Sequence, residues 1–171
     1  MKKVLYFIFA ISLVIWLGGS VIRNVIIFDL FVPGTELTYK NFYTSEIIDY
    51  NIYLFISAST YTSISYILAF LVSNIILIME RKYLKNQGWL FMSIVLFLLV
   101  SPIVIYNIYN DFSISRALFY NDLSFMSSDI KSTIFNRYKS NLNTILSGIS
   151  YLANFTIIAF SIWKPLSELK N

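Results

Sequence analysis

The sequence has no cysteine and no histidine, and only 5 glycines and 3 prolines in 171 residues. Without cysteine there can be no disulfide, thiol nucleophile, iron–sulfur ligand or cysteine-type zinc site, and cysteine usage gives no hint of redox compartment. Without histidine the commonest metal ligand and proton shuttle is gone, so this chain alone cannot ligate a bis-histidine haem or a histidine metal centre. Charge is scarce as well, at 13% of residues against 57% hydrophobic. No cofactor and no metal are expected, and intramembrane acid pairs of the kind a hydrolase uses are missing from the apolar runs.

What is present is apolar length. Four uncharged runs, Val4 to Ile22, Tyr50 to Met79, Gly88 to Tyr109 and Ser140 to Trp163, fill most of the chain, whose mean hydropathy is +0.68. Each reaches the roughly 20 residues that a helix needs to cross a hydrocarbon core about 30 Å thick. The expected fold is all-α: one integral membrane domain over 1–171, a four-helix bundle with helical extensions on the extracytoplasmic side. The formal charge of +4 arises from short flanking clusters such as Lys2-Lys3 and Arg81-Lys82 with Lys85. These suit anionic lipid head groups and give no reason to invoke nucleic acid.

The first run also fits a signal peptide, because Met1-Lys2-Lys3, an apolar stretch and Gly18-Gly19-Ser20 are its ingredients. Apolar character resumes in Val25 to Val32, however, which favours a retained anchor whose helix runs on to Pro33-Gly34. Of the 13 Lys and Arg, seven fall on the N-terminal side of the membrane and six on the other. Density separates the sides better: the 80–87 link is basic, whereas 23–49 carries Arg23 and Lys40 against Asp29, Glu36, Glu46 and Asp49. Both termini are expected in the cytoplasm, with Trp89 and Trp163 at the same interface.

Helix signals extend beyond the apolar runs. Thr44, Ser45 and Glu46 mark a start ahead of the second span. Ile130, Ile134, Tyr138 and Leu142 recur every four residues after Ser127, Ser128 and Asp129, predicting an amphipathic helix that feeds into the fourth span. Together with 110–126 these pieces should form a helical cap.

The second span is rich in hydroxyls: Ser57, Ser59, Thr60, Thr62, Ser63, Ser65 and Ser73. Close helix packing is the ordinary reading of such ladders, and a polar solute path is the alternative. Two intramembrane amides stand apart by their depth, Asn154 near the predicted midplane and Asn74 in the inner half of the second span, each in need of a hydrogen-bond partner. At the outer membrane edge stand Arg23, Asp29, Asp49, Asp111 and Arg116. Most interfacial charges are solvated and exposed ion pairs contribute little. Convergence of these five into one cluster is the sharper expectation, with Arg23 snorkelling or pairing with Asp49 or Asp111.

Two motifs, Trp16-Leu17-Gly18-Gly19 in the first span and Phe135-Asn136-Arg137-Tyr138-Lys139-Ser140-Asn141-Leu142-Asn143 at the entry to the fourth, resemble a small tetraspan family of unknown function, called transmembrane-protein-two-oh-five-like. The layout of spans is similar too. In that family the fourth-span entry reads as an aromatic, a basic residue, a His, then Ser and Asn. Lys139 stands where the His is expected, so no role of that His carries over. The resemblance implies a fold more than an activity.

Function is expected to be non-catalytic: a multi-pass protein acting through partners, as an accessory subunit or a homo-oligomer. The alternative is a small-solute transporter or channel lined by the second span, and a membrane enzyme is the least favoured class. Richness in Ile, Asn, Lys, Tyr and Phe suggests an AT-rich bacterial genome and hence the inner (plasma) membrane.

Overall fold

In the computed structural model, residues 2–35, 37–120 and 128–165 are described. They form five helices: α1 (Lys2–Phe28), α2 (Ser45–Glu80), α3 (Gly88–Tyr120), α4 (Ser128–Lys139) and α5 (Asn141–Trp163). Four of them, all but α4, are long and apolar enough to cross a membrane. The fold is all-α, as expected.

Neighbouring spans run antiparallel. Lys2 at the start of α1 meets Glu80 at the end of α2 with 2.8 Å between charged atoms. Ser59 and Tyr66 of α2 face Ser115 and Ser101 of α3, and Lys164 after α5 lies over the Trp89 ring at the start of α3. The start of α1, the end of α5 and the 81–87 link therefore share one end of the bundle, the terminal end, and α4 and the 29–44 loop share the other. The helices associate mainly as two pairs, α1 with α2 and α3 with α5, joined through α2 and α3.

At 1.5 Å per residue the 36 residues of α2 extend about 54 Å, far beyond a hydrocarbon core. Its start is where the sequence puts it: Thr44 is the N-cap, its hydroxyl accepting from the Ile47 amide. α3 also continues past the apolar run, to Tyr120. The stretch 121–127, with the expected cap residue Ser127, lies outside the described residues.

Two expectations need correction. α1 does not run on to Pro33-Gly34 but ends at Phe28. Proline disfavours a helical residue before it and donates no amide bond, and Leu30 and Phe31 gain more by folding back, both buried. The chain then reverses through Gly34 at φ +79° and Leu37 at φ +57°. Val32 N–H donates to Thr38 at 2.8 Å, and Phe31 pairs with Tyr39 in an isolated antiparallel bridge. Nor does α4 feed unbroken into the membrane. Ser140 stands between α4 and α5 in extended conformation and caps α5, its hydroxyl accepting from the Asn143 amide.

The buried apolar residues form two cores. One, at the loop-rich end, gathers Ile27, Leu30 and Phe31 with Ile52, Phe55 and Ile56, Ile114 and Leu118, and Ile130 and Ile134 of α4. The other lies within the spans, around Leu13, Trp16, Tyr66, Phe97 and Ile157. Trp16 and Phe97 flank Tyr66 with ring centroids 5.0 and 5.7 Å away.

Candidate functional site

Between the two cores sits a buried charge cluster. Arg23 belongs to the last turns of α1, whose face there is fixed by Ser20 and Ile27, both buried. About one turn earlier, Gly19 brings α1 so close to α2 that a Cβ at that position would collide with the Thr62 methyl. That proximity lets the Arg23 guanidinium cross to α2, where Nη1 donates to Thr62 Oγ1 at 3.3 Å and the carbon of the guanidinium lies 4.4 Å from the Phe55 ring centroid. Its counterion comes from α3: Arg23 Nη1 is 2.9 Å from Asp111 Oδ2. The other Asp111 oxygen accepts from Arg137 Nη1 of α4 at 2.6 Å. Arg23 is 7% exposed and Asp111 is 4% exposed, so one buried carboxylate ties α1, α3 and α4 together.

Polar side chains extend the cluster. Tyr138 donates to Asn24 Oδ1 at 3.1 Å, Asn24 donates to Tyr151 of α5 at 3.4 Å, and Asn107 donates to Ser147 at 3.4 Å. Burial pushes the Tyr138 phenol up to about 12, against the opposing pull of Arg137 and Arg23, so it remains a neutral donor.

The five expected charges do not converge. Arg23 and Asp111 do meet, inside the helical bundle rather than in solvent. Asp49 instead pairs with Lys131 of α4, both partly exposed. Asp29 is held by Lys40 at 2.6 Å and by the Tyr43 hydroxyl, which together lower its carboxyl below the usual range. Arg116 is exposed on α3. The reason is directional: Asp49 sits in the first turns of α2 on a face turned to α4, whereas Asp111 is on the face of α3 turned to the bundle. Arg137 was not among the expected site residues. Its signal lay in the α4 periodicity, since it adjoins Tyr138 and follows Ile134 by three positions on the buried face.

Both amides donate to carbonyls of their own helices. Asn154 is fully buried and donates to Ser150 O at 2.8 Å, leaving its Oδ1 without a partner among the described residues. Asn74 donates to Phe70 O at 2.7 Å. The α2 hydroxyls behave alike, with Ser59, Thr62 and Ser73 donating to carbonyls of their own helix.

A second feature occupies the opposite end. Between the two helix pairs lies a cleft of about 940 Å³, apolar in its depth at Phe9, Leu13, Phe97 and Ile157. Ser73, Asn74, Ser93 and Ser161 interrupt its walls, and Glu80, Asn86, Gln87 and Lys164 ring its mouth. Among the described residues no group of three or more His, Cys, Asp or Glu is placed to hold a metal ion. Comparison of the chain with protein-family models, with curated proteins and with solved structures gives no match.

Proposed function

We propose that this is a non-catalytic multi-pass membrane protein that acts through a partner within the bilayer, as an accessory subunit of a larger assembly or as a homo-oligomer. The observation that carries this reading is the cleft between the helix pairs at the terminal end. Helices in lipid gain nothing from hydrophobic exclusion and associate through close packing and interhelical hydrogen bonds, for which small residues and hydroxyls are suited. The cleft presents Ser73, Ser93 and Ser161 on three different helices; like Asn74 they donate to carbonyls of their own helices, which leaves small side chains against which another helix can pack closely. A transmembrane helix of a partner fits that chemistry. The layout that resembles the tetraspan family fits too, since that resemblance implies a fold rather than an activity.

The transporter alternative draws less support, because the α2 hydroxyls direct their donors into their own helix. Location in the inner membrane with both termini cytoplasmic belongs to the same proposal. Reporters fused after Gln87 and after Asn121 then fall on opposite sides, and two reporters on one side would refute the four-span topology.

The direct test is extraction in a mild detergent, native mass measurement, and a photo-crosslinking residue at Leu98 in the cleft. A complex heavier than one chain, with crosslinks from Leu98 to a protein that is retained in it, is the expected result. A lone chain whose Leu98 crosslinks reach only lipid would refute the proposal.

A further inference from the structure

The charges in the buried cluster do not balance. Arg23 and Arg137 contribute two positive charges and share the single carboxylate of Asp111, which leaves a net charge of +1. Taking a guanidinium out of water without a full counter-charge is costly, and the hydrogen-bond inventory of Arg23 is equally incomplete. Nη1 serves both Thr62 and Asp111, while Nε and Nη2 are buried with no hydrogen-bond partner among the described residues.

Against this excess charge lies a cavity of about 210 Å³, bordered by both arginines. Its wall is polar on the α5 side, where Asn143, Thr144, Ser147 and Tyr151 contribute. Asn143 and Thr144 belong to the first turn of α5, so the positive end of a 23-residue helix adds to the potential there. Tyr138 closes the remaining side with its proton given to Asn24, and Tyr151 and Ser147, which accept from Asn24 and Asn107, are the hydroxyls left to donate. Guanidinium groups, a helix N-terminus and neutral hydroxyls are the donor set that oxyanions require.

We propose that this cavity binds an oxyanion of the phosphate class, held between Arg23 and Arg137 as the missing counter-charge of the cluster. The phosphate can come from a lipid head group, since basic pockets between transmembrane helices suit anionic lipids, or from a free phosphate compound. The site lies at the loop-rich end and does not depend on what fills the cleft at the other end.

The experiment is thermal unfolding of the whole chain in an uncharged detergent, titrated with inorganic phosphate in one arm and with phosphatidylglycerol in the other. Chloride at matched ionic strength and phosphatidylcholine serve as controls. A ligand that binds only the folded form raises the midpoint with concentration. A rise with phosphate identifies a free oxyanion as sufficient, and a rise confined to phosphatidylglycerol identifies the lipid head group. Arg137→Gln removes the excess charge while leaving the Arg23–Asp111 pair, and should weaken the response by about tenfold or more. Gly148→Leu is the second variant: Gly148 is part of the cavity wall, and a Cβ there meets nothing within 4 Å, so the side chain has room and the charges are untouched. It too should suppress the response. No rise above the controls in either arm, or a response of unchanged size in both variants, would overturn the proposal.

Discussion

The two ends of the bundle are built on opposite plans. At the loop-rich end the Asp111 carboxylate and the Arg23 guanidinium are buried between α1, α3 and α4 with Arg137 half-buried beside them, and the apolar core beyond draws on four helices and the 29–44 loop. At the terminal end the helix pairs part around a cleft of about 940 Å³. The charged contacts there, Lys2 with Glu80 and Lys164 over Trp89, lie at its mouth. The difference shows what holds helices together when hydrophobic exclusion is absent. A buried charge that finds only one good arrangement fixes three helices at once, whereas apolar walls in lipid are satisfied equally well by a neighbour, a partner or a lipid chain.

The variant with the largest expected effect is Asp111→Ala. It strands the buried Arg23 and deprives the half-buried Arg137 of its partner, and removal of one member of a buried ion pair costs about 3–5 kcal/mol. Thermal midpoint in detergent and abundance in the membrane should both fall sharply. Arg23→Ala ranks next, at about 1.5–3 kcal/mol, because Asp111 keeps Arg137 as its partner. An equal loss in the two variants would mean that Arg137 does not share the carboxylate.

Gly19 and Gly18 sharpen the comparison along α1. Gly19→Val drives a side chain into Thr62 and should cost about 1–3 kcal/mol, while the same change at Gly18, which has open space, should be nearly silent. Tyr66→Phe in the span core removes only the hydrogen bond to Ser101, 3.0 Å long, and should cost about 0.6 kcal/mol.

The smallest effect belongs to Lys40→Ala, whose exposed pair with Asp29 contributes less than about 1 kcal/mol. The Asp29 carboxyl is lowered in the folded chain by Lys40 first and Tyr43 second. Its contribution is therefore present above the ordinary carboxylate range and disappears as pH falls through the lowered value. Lys40→Ala should therefore lower stability slightly at neutral pH, and its difference from the parent chain should vanish as pH falls through the lowered value. A loss at neutral pH matching that of Arg23→Ala would contradict the ranking.

Much of the fold was legible because hydropathy is a local signal. The four spans, the Thr44 start of α2 and the α4 periodicity all come from neighbouring residues. The early end of α1 was harder to read, since Leu30 and Phe31 continue the apolar pattern and their burial depends on Phe135, 104 residues further along from Phe31. The site divided in the same way. Arg23 and Asp111 announced themselves as charges beside apolar runs, but the sequence offered Asp49 as an equal partner for Arg23. Only the facing of α2 and α3 separates the two acids. Arg137 escaped notice because a basic residue on a short amphipathic helix is ordinarily solvated.

The most direct test of the two-plan account is a pair of distance distributions, measured between spin labels on introduced cysteines in lipid nanodiscs. The chain has no cysteine of its own, so labels attach only where they are placed. Ile22 and Ile145 report on α1 and α5 near the cluster, and Phe7 and Ile162 report on the same helices at the cleft; all four are exposed. The account predicts a narrow distribution for Ile22/Ile145, a broader one for Phe7/Ile162, and broadening of the first when Asp111→Ala is added. Equally narrow distributions at both ends, or an Ile22/Ile145 distribution indifferent to Asp111→Ala, would contradict it.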